Sequence, residues 1–114
     1  MNDCLFCKIA AGEIPSTKVY EDETTLAFRD INPQAPVHVL VIPKKHVSGW
    51  YDAQNESDAE LAHLMRVAAM VAKSENIVES GFRVVSNCGD DAQQTVEHLH
   101  LHVLGGKKMD GQMA

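Results

Sequence analysis

The sequence predicts an α+β fold in which a mainly antiparallel sheet of five strands packs with one long helix and one short helix. Three stretches lead to this class. Residues 98–104 alternate histidine with aliphatic residues, and residues 37–42 are almost continuously apolar before Pro43. Residues 57–75 carry apolar side chains at helical spacing behind a capping box formed by Ser57 and Glu60.

The alternating stretch places His98, His100 and His102 at positions i, i+2 and i+4. Side chains of a strand alternate between its two faces, so we expect three imidazoles on one face and the three aliphatic side chains on the other. On a helix the same imidazoles would point in different directions. The stretch therefore predicts a strand with one face in a core and a histidine-lined face toward a cavity.

The remaining elements follow from local pattern. Residues 4–11 predict a short helix that stops at Gly12. Three further strands are expected at residues 18–21, 24–29 and 81–86, the first two as a hairpin. A polar loop spans 87–94. We expect one domain over 1–114, with a flexible tail at 107–114.

Composition excludes several classes of function. The net charge is −6 and no lysine- or arginine-rich run occurs, so binding to a nucleic acid polymer is not expected. No apolar run is long enough to span a membrane, and the first residues do not resemble a signal peptide, so a cytoplasmic location is expected. Three cysteines in a reducing compartment argue against a disulfide framework.

The histidines leave more than one interpretation open. The three alternating imidazoles fit a metal site or a catalytic site equally well, because imidazole both ligates zinc and titrates near neutral pH. His38 lies on the apolar central stretch, either as a core histidine or beside His100. His46 is either solvated or a ligand, and His63 on the long helix is structural or exposed.

Other candidate residues carry the same kind of ambiguity. Cys4 and Cys7 form a C-x-x-C pair that fits small apolar residues or two zinc ligands. Asp30 fits a turn residue or an acceptor for ribose hydroxyls. The loop with Asn87, Gln93 and Thr95 fits a solvated loop or a phosphate site. Four apolar residues fit the core or one wall of a base pocket: Leu5, Phe6, Ile9 and Phe28.

Residues 98–104, His-Leu-His-Leu-His-Val-Leu, resemble the signature of the histidine-triad (HIT) family, and Gly105-Gly106 resemble its nucleotide-binding branch. The resemblance extends over most of the chain. Segments 4–9, 12–15, 27–31, 33–38 and 41–46 match family segments in order.

This resemblance implies a HIT-like fold, and a homodimer in which the long helices and a sheet edge pair across a two-fold axis. It also implies binding of purine nucleoside monophosphates, such as AMP or GMP, and hydrolysis of their phosphoramidates and related bonds at the α-phosphorus. By the resemblance, His100 is the nucleophile, His102 contacts phosphate and handles protons, and His38 lies beside them. The chemistry fits, because a neutral imidazole can attack phosphorus while a neighbouring histidinium protonates the leaving amine.

The resemblance also assigns binding residues. The nucleotide site would comprise Leu5, Phe6, Ile9, Phe28, Asp30, Ile31, Asn87, Gln93 and Thr95. A subset of the family holds a structural zinc ion, whose ligands here would be Cys4, Cys7, His46 and His98. No catalytic metal is required for the scheme.

Two departures from the family pattern bear on specificity. Gln93 stands where relatives have glycine before the signature, which removes backbone freedom near the phosphate. The tail ends at Ala114 without the tryptophan of eukaryotic relatives.

The competing functions are a dinucleoside polyphosphate hydrolase and a nucleotide-binding regulatory module with a protein partner.

Overall fold

A computed structural model describes residues 4–113 and contains one antiparallel sheet of five strands in the order β1-β2-β3-β5-β4. Its elements are α1 (Leu5–Ala10), β1 (Lys18–Glu21), β2 (Thr25–Arg29), β3 (Val37–Pro43), a 3₁₀ helix (Asp52–Asn55), α2 (Asp58–Ser74), β4 (Phe82–Val85) and β5 (Leu101–Gly105). The predicted α+β class is therefore confirmed. Neither helix in this part of the chain is long and apolar enough to cross a membrane.

The apolar stretch β3 forms the centre of the sheet, as its composition predicts. It pairs with β2 on one side and with β5 on the other, and Val39, Val41 and Ile42 are completely buried. A strand with neighbours on both sides and covered faces favours such a nearly continuous apolar sequence.

The long helix α2 begins at the predicted capping box. The Ser57 side chain accepts a hydrogen bond from the Glu60 amide, and the Glu60 carboxylate accepts one from the Ser57 amide. Its apolar side buries Val67, Val71 and Ala72 against one face of the sheet. This face forms the larger core.

The opposite face of the sheet carries the second core and the histidines. Leu40 and Ile42 of β3 point to this face and pack with Phe28 of β2, while α1 contributes Phe6 and Ile9. The alternation places Leu99, Leu101 and Val103 in the α2 core. The separation of imidazole and aliphatic side chains is therefore as the spacing predicts.

The histidine stretch is not entirely a strand, which differs from the prediction. β5 begins at Leu101, so His98 and His100 precede it. The physical reason is a change of hydrogen-bond partner: the Leu99 amide donates to the Val47 carbonyl at 2.6 Å instead of to β3. The 3₁₀ helix was not predicted either, and β2 and β4 are slightly shorter than expected.

The two glycines that follow the histidines are required by their surroundings. A Cβ added to Gly105 would lie 2.8 Å from Ile77 Cδ1, because Ile77 packs directly on the end of β5. Gly106 has φ +93°, a conformation that glycine adopts without a steric penalty.

Candidate active site and metal centre

His100 is a buried imidazole whose tautomer is set by the main chain. Its Nδ1 lies 2.6 Å from the His98 carbonyl oxygen, which can only accept, so Nδ1 carries the proton. In the neutral ring Nε2 then keeps its lone pair. The Phe6 ring packs edge-on against His100 with centroids 5.1 Å apart, and Ser86 donates to the His100 carbonyl at 3.0 Å. These contacts hold an unprotonated nitrogen in a fixed place.

His38 and His102 form a directed chain of hydrogen bonds. The Gln34 amide donates to His38 Nδ1 at 3.0 Å, so the proton of the neutral His38 ring is on Nε2. His38 Nε2 in turn donates to His102 Nδ1 at 2.8 Å, which leaves the His102 proton on Nε2. Asp30 Oδ2 lies 3.4 Å from His38 Nε2. His38 therefore lies beside the alternating histidines, as the resemblance implies, and the ring that it contacts is that of His102.

The strand register explains this contact. β3 and β5 pair His38 with Leu104 and Leu40 with His102. His38 and His102 are thus diagonal neighbours on one face, within reach of each other's rings. The sequence alone did not specify this register.

Burial keeps this histidine pair neutral. Burial, followed by the neighbouring His100 and His38, lowers the pKa of His102 to about 4, although the Asp30 carboxylate opposes the shift. Burial also lowers the pKa of His38, again opposed by Asp30. Both shifts favour the neutral form of these two rings in the free protein. A negative charge bound beside them would oppose the shifts.

The predicted base-pocket residues divide into a buried and an exposed group. Phe6, Ile9 and Phe28 are buried together on the histidine face. Leu5 is 44% exposed and Ile31 is 93% exposed, so neither belongs to that apolar cluster. Asp30 directly follows β2, and its Oδ1 accepts from the Asn32 amide at 2.8 Å.

The loop before the histidines is held by Gln94, a residue that no sequence pattern marked as functional. The Gln94 side chain donates to the Ser48 and Val96 carbonyls at 2.8 and 3.1 Å and accepts from the Gly89 amide at 2.9 Å. Gln93 has φ +64°, a left-handed backbone conformation that favours glycine. Among the predicted phosphate residues, Asn87 is half-buried, while Gln93 and Thr95 are exposed.

Four side chains from three segments meet at one end of the histidine face. The donor atoms of Cys4, Cys7, His46 and His98 all lie within 4.8 Å of one another. His98 Nδ1 lies 3.2 Å from Cys4 Sγ and 3.4 Å from Cys7 Sγ, and His46 Nδ1 lies 3.2 Å from Cys7 Sγ. Two sulfur and two nitrogen donors in this arrangement fit the ligand set of a tetrahedral zinc ion.

The tautomer of His98 supports the same interpretation. Its Nε2 donates to the Pro43 carbonyl at 2.7 Å, so Nδ1 keeps a lone pair facing the sulfur atoms. A hydrogen bond to the second ring nitrogen is the usual support of a metal-bound histidine. Burial lowers the pKa of His98, which favours the neutral form that a metal requires.

A second group of potential ligands, Asp30, His38 and His102, is less suited to a cation. His38 Nε2 carries a proton because Nδ1 accepts from the Gln34 amide. Binding a metal at Nε2 would move that proton to Nδ1, where it would face the Gln34 N–H. The hydrogen bonds therefore disfavour metal binding at this pair.

Known proteins that are similar in sequence and structure match most of this chain. The family model "HIT domain" matches residues 11–109. A 14 kDa zinc-binding protein of Zea mays is 51% identical over 108 residues, covering 93% of this chain and 84% of the relative. Among solved structures, a histidine triad protein from Clostridium difficile matches with a TM-score of 0.93 and 50% identity, covering 99% of this chain and 98% of that one.

A second solved structure, described as a HIT family hydrolase from Clostridium thermocellum, has a TM-score of 0.92 and 48% identity, covering 100% of this chain and 99% of its own. The family model matches most of the chain, and both the relative and the structures match nearly all of it. The chain therefore belongs to the HIT domain family.

Proposed function

We propose that this protein hydrolyses purine nucleoside 5′-phosphoramidates and related nucleotidyl bonds at the α-phosphorus. The observation that carries the proposal is the tautomer of His100, whose Nδ1–H donates to the His98 carbonyl at 2.6 Å and leaves Nε2 as a nucleophile. The description of the Clostridium thermocellum structure as a hydrolase is consistent with it.

The reaction would proceed in two displacements. His100 Nε2 forms a bond to the α-phosphorus as the phosphorus–nitrogen bond to the leaving amine breaks, and the amine departs with an added proton. Water then attacks the phosphorus of the nucleotidyl-histidine and gives a proton back to the His38–His102 pair. The bond from phosphorus to His100 Nε2 breaks, His100 leaves as a neutral ring, and the nucleoside monophosphate is released. Splitting one difficult displacement into two in this way is the advantage of covalent catalysis.

The proton for the amine would enter with the substrate. The pKa of His102 is about 4 in the free protein, and a bound phosphate anion nearby favours its charged form. Asp30, 3.4 Å from His38 Nε2, supplies a counter-charge for the proton that the His38–His102 pair takes up. The pair therefore becomes a general acid only when a nucleotide is bound.

The nucleotide would lie along the histidine face. The buried group Phe6, Ile9 and Phe28 offers an apolar wall for the base, and the exposed Leu5 and Ile31 offer its rim. Asp30 would accept hydrogen bonds from the ribose hydroxyls. Three residues of the preceding loop would contact phosphate: Asn87, Gln93 and Thr95.

A structural zinc ion is part of the proposal. Cys4, Cys7, His46 and His98 would hold it, which ties the N-terminal helix α1 to the loop after β3 and to the histidine stretch. The zinc-binding relative from Zea mays and the Cys/His cluster support this assignment. The ion would supply cross-linking of these segments, and no chemical step of the reaction uses it.

A homodimer is also part of the proposal. An apolar groove of about 550 Å³ runs between α2 and the β4 edge of the sheet. Its lining includes Trp50, Met65, Phe82 and Val84, which are 61%, 75%, 38% and 43% exposed. An unpaired edge strand beside apolar side chains favours pairing with a second copy of the same edge.

The decisive assay is hydrolysis of adenosine 5′-phosphoramidate by the wild-type protein and by His100→Ala, with His63→Ala as the control. We expect His100→Ala to lose activity by at least a thousandfold, a loss typical for removal of a nucleophile, and His63→Ala to retain it. Equal residual rates for His100→Ala and wild type would overturn the role of His100. Tight AMP binding without turnover by the wild type would instead indicate a regulatory module, and preferential cleavage of diadenosine polyphosphates would indicate the competing hydrolase.

A further inference from the structure

We propose that His98 is a positioning residue that couples the Cys/His cluster to His100, so that zinc occupancy of the cluster controls nucleotide binding. The inference rests on the proposed nucleotide site and zinc site. It goes beyond them, because it gives the metal centre a regulatory effect on the active site instead of a purely structural one.

The first connection runs through the main chain of His98, which is completely buried. Its ring is held at both nitrogens, with Nδ1 3.2 Å from Cys4 Sγ and Nε2 2.7 Å from the Pro43 carbonyl oxygen. Its main-chain carbonyl is the acceptor that fixes the His100 tautomer at 2.6 Å. His98 therefore links the cluster, through its ring Nδ1, to the His100 Nδ1–H, through its main-chain carbonyl.

The second connection runs through Phe6, which stands between Cys4 and Cys7 in α1. Its ring centroid lies 5.1 Å from that of His100 and 5.4 Å from that of Phe28. α1 has only six residues, and a helix this short depends on tertiary contacts for its stability. Ligation of Cys4 and Cys7 would therefore hold the ring that forms both the base wall and the support of His100.

Removal of the metal should act through both connections at once. The cluster residues would lose their common partner, and the His98 carbonyl and Phe6 would be held less tightly. We expect the His100 ring to populate both tautomers and AMP to bind about tenfold more weakly or worse, a loss typical when residues that orient a site are released.

The experiment compares zinc-loaded protein, chelator-treated protein and His46→Ala. His46 is exposed, and its Nδ1 belongs to the cluster, while its ring packs edge-on against the His98 ring with centroids 5.2 Å apart. The His46→Ala substitution removes this ligand and leaves Phe6 and the main chain of His98 unsubstituted. Cys88→Ala, at an exposed cysteine outside the cluster, is the matched control. Zinc content is measured by elemental analysis, folding by circular dichroism, the His100 tautomer by ¹⁵N NMR of the imidazole, and affinity by AMP titration.

In zinc-loaded wild type and Cys88→Ala, we expect one His100 tautomer with the proton on Nδ1. In folded protein without zinc, we expect mixed tautomers and weakened AMP binding. An unchanged His100 tautomer and unchanged AMP affinity after verified zinc loss would overturn the inference. Purified protein that neither contains zinc nor binds added zinc would also overturn it. If zinc-loaded protein binds no AMP, the proposed function fails, while the tautomer readout still decides the coupling.

Discussion

His38 Nε2 lies 2.8 Å from His102 Nδ1, and this hydrogen bond determines which nitrogen of each ring carries a proton. The Gln34 amide donates to His38 Nδ1 and so sets the direction of this series of hydrogen bonds. The series ends at the Nε2–H of His102. Because His100 has the opposite arrangement, with its proton on Nδ1, histidines that are equivalent by spacing differ in chemistry. His100 offers a lone pair on Nε2, whereas His102 offers a hydrogen on Nε2.

The first prediction concerns protonation of His102. In NMR titrations of the free protein, His102 should titrate near pH 4, because burial and neighbouring imidazoles disfavour its charge. Binding of AMP should raise this pKa, since a phosphate anion favours the charged ring. A free-protein pKa near the ordinary value of about 6.5, or no change with AMP, would contradict the proposed proton uptake.

The same shift makes stability depend on pH. The pKa of His102 is lower in the folded protein than in the unfolded chain, so the unfolded chain binds more protons between these values. Stability should therefore fall as the pH drops from about 6.5 to about 4, with a contribution from His102 on the order of 3 kcal/mol. In chemical denaturation across this range, the free energy of unfolding should change less with pH in His102→Asn than in the wild type. An equal pH dependence in the variant would show that His102 is not its cause.

The second prediction concerns Gln93, which has φ +64°. This left-handed conformation disfavours side chains branched at Cβ and suits glycine. The variant Gln93→Gly should therefore be more stable than Gln93→Val by about 1–2 kcal/mol, measured by chemical denaturation. The same two substitutions at Gln112, which has no positive φ, serve as the control. The same stability difference at both positions would show that backbone strain at Gln93 is not the cause.

The third prediction concerns the contact between Gly105 and Ile77. Since an added Cβ would lie 2.8 Å from Ile77 Cδ1, Gly105→Ala should cost about 1–3 kcal/mol of stability. Gly111→Ala is the matched control, because an added Cβ there meets no atom within 4 Å. The cost should shrink in an Ile77→Ala background, as expected for two residues in contact. An additive double mutant would contradict the steric explanation.

The fourth prediction concerns the apolar groove beside β4. Val84→Arg should convert the expected dimer to a monomer, because a desolvated charge would replace an apolar contact at the edge strand. Tyr51→Arg is the control, since this 73% exposed aromatic side chain lies outside the groove lining. Mass determined by sedimentation velocity decides the outcome. A wild-type monomer, or a dimer that persists in Val84→Arg, would remove the groove from the proposal.

Local patterns in the sequence predicted those elements that depend on local interactions. The capping box at Ser57 and the apolar run of β3 specify their own secondary structure, and both are found as expected. The contact between His38 and His102 depends on strand register, which no single segment encodes. The role of Gln94 depends on its hydrogen bond to the Ser48 carbonyl, 46 residues away in sequence, so its position in a polar loop gave no signal.

The exposure of the predicted base-pocket residues also depends on tertiary packing. Phe6 and Phe28 are apolar residues within a helix and a strand, and both are buried. Ile31 is equally apolar but 93% exposed, because it lies in the bend that follows the end of β2. Whether such a residue borders a pocket or a core is determined by tertiary packing.

If His100 is the nucleophile, a covalent nucleotidyl intermediate forms on its ring and can be trapped. Wild-type protein and His100→Ala are mixed with adenosine 5′-phosphoramidate, quenched by denaturation at alkaline pH and analysed by peptide mass spectrometry. We expect an adenylyl group on the wild-type peptide that contains His100, and none on the corresponding peptide of the variant. Hydrolysis by the wild-type protein with an adenylyl group on another histidine, or hydrolysis by His100→Ala at the wild-type rate, would contradict the assignment of His100 as the nucleophile.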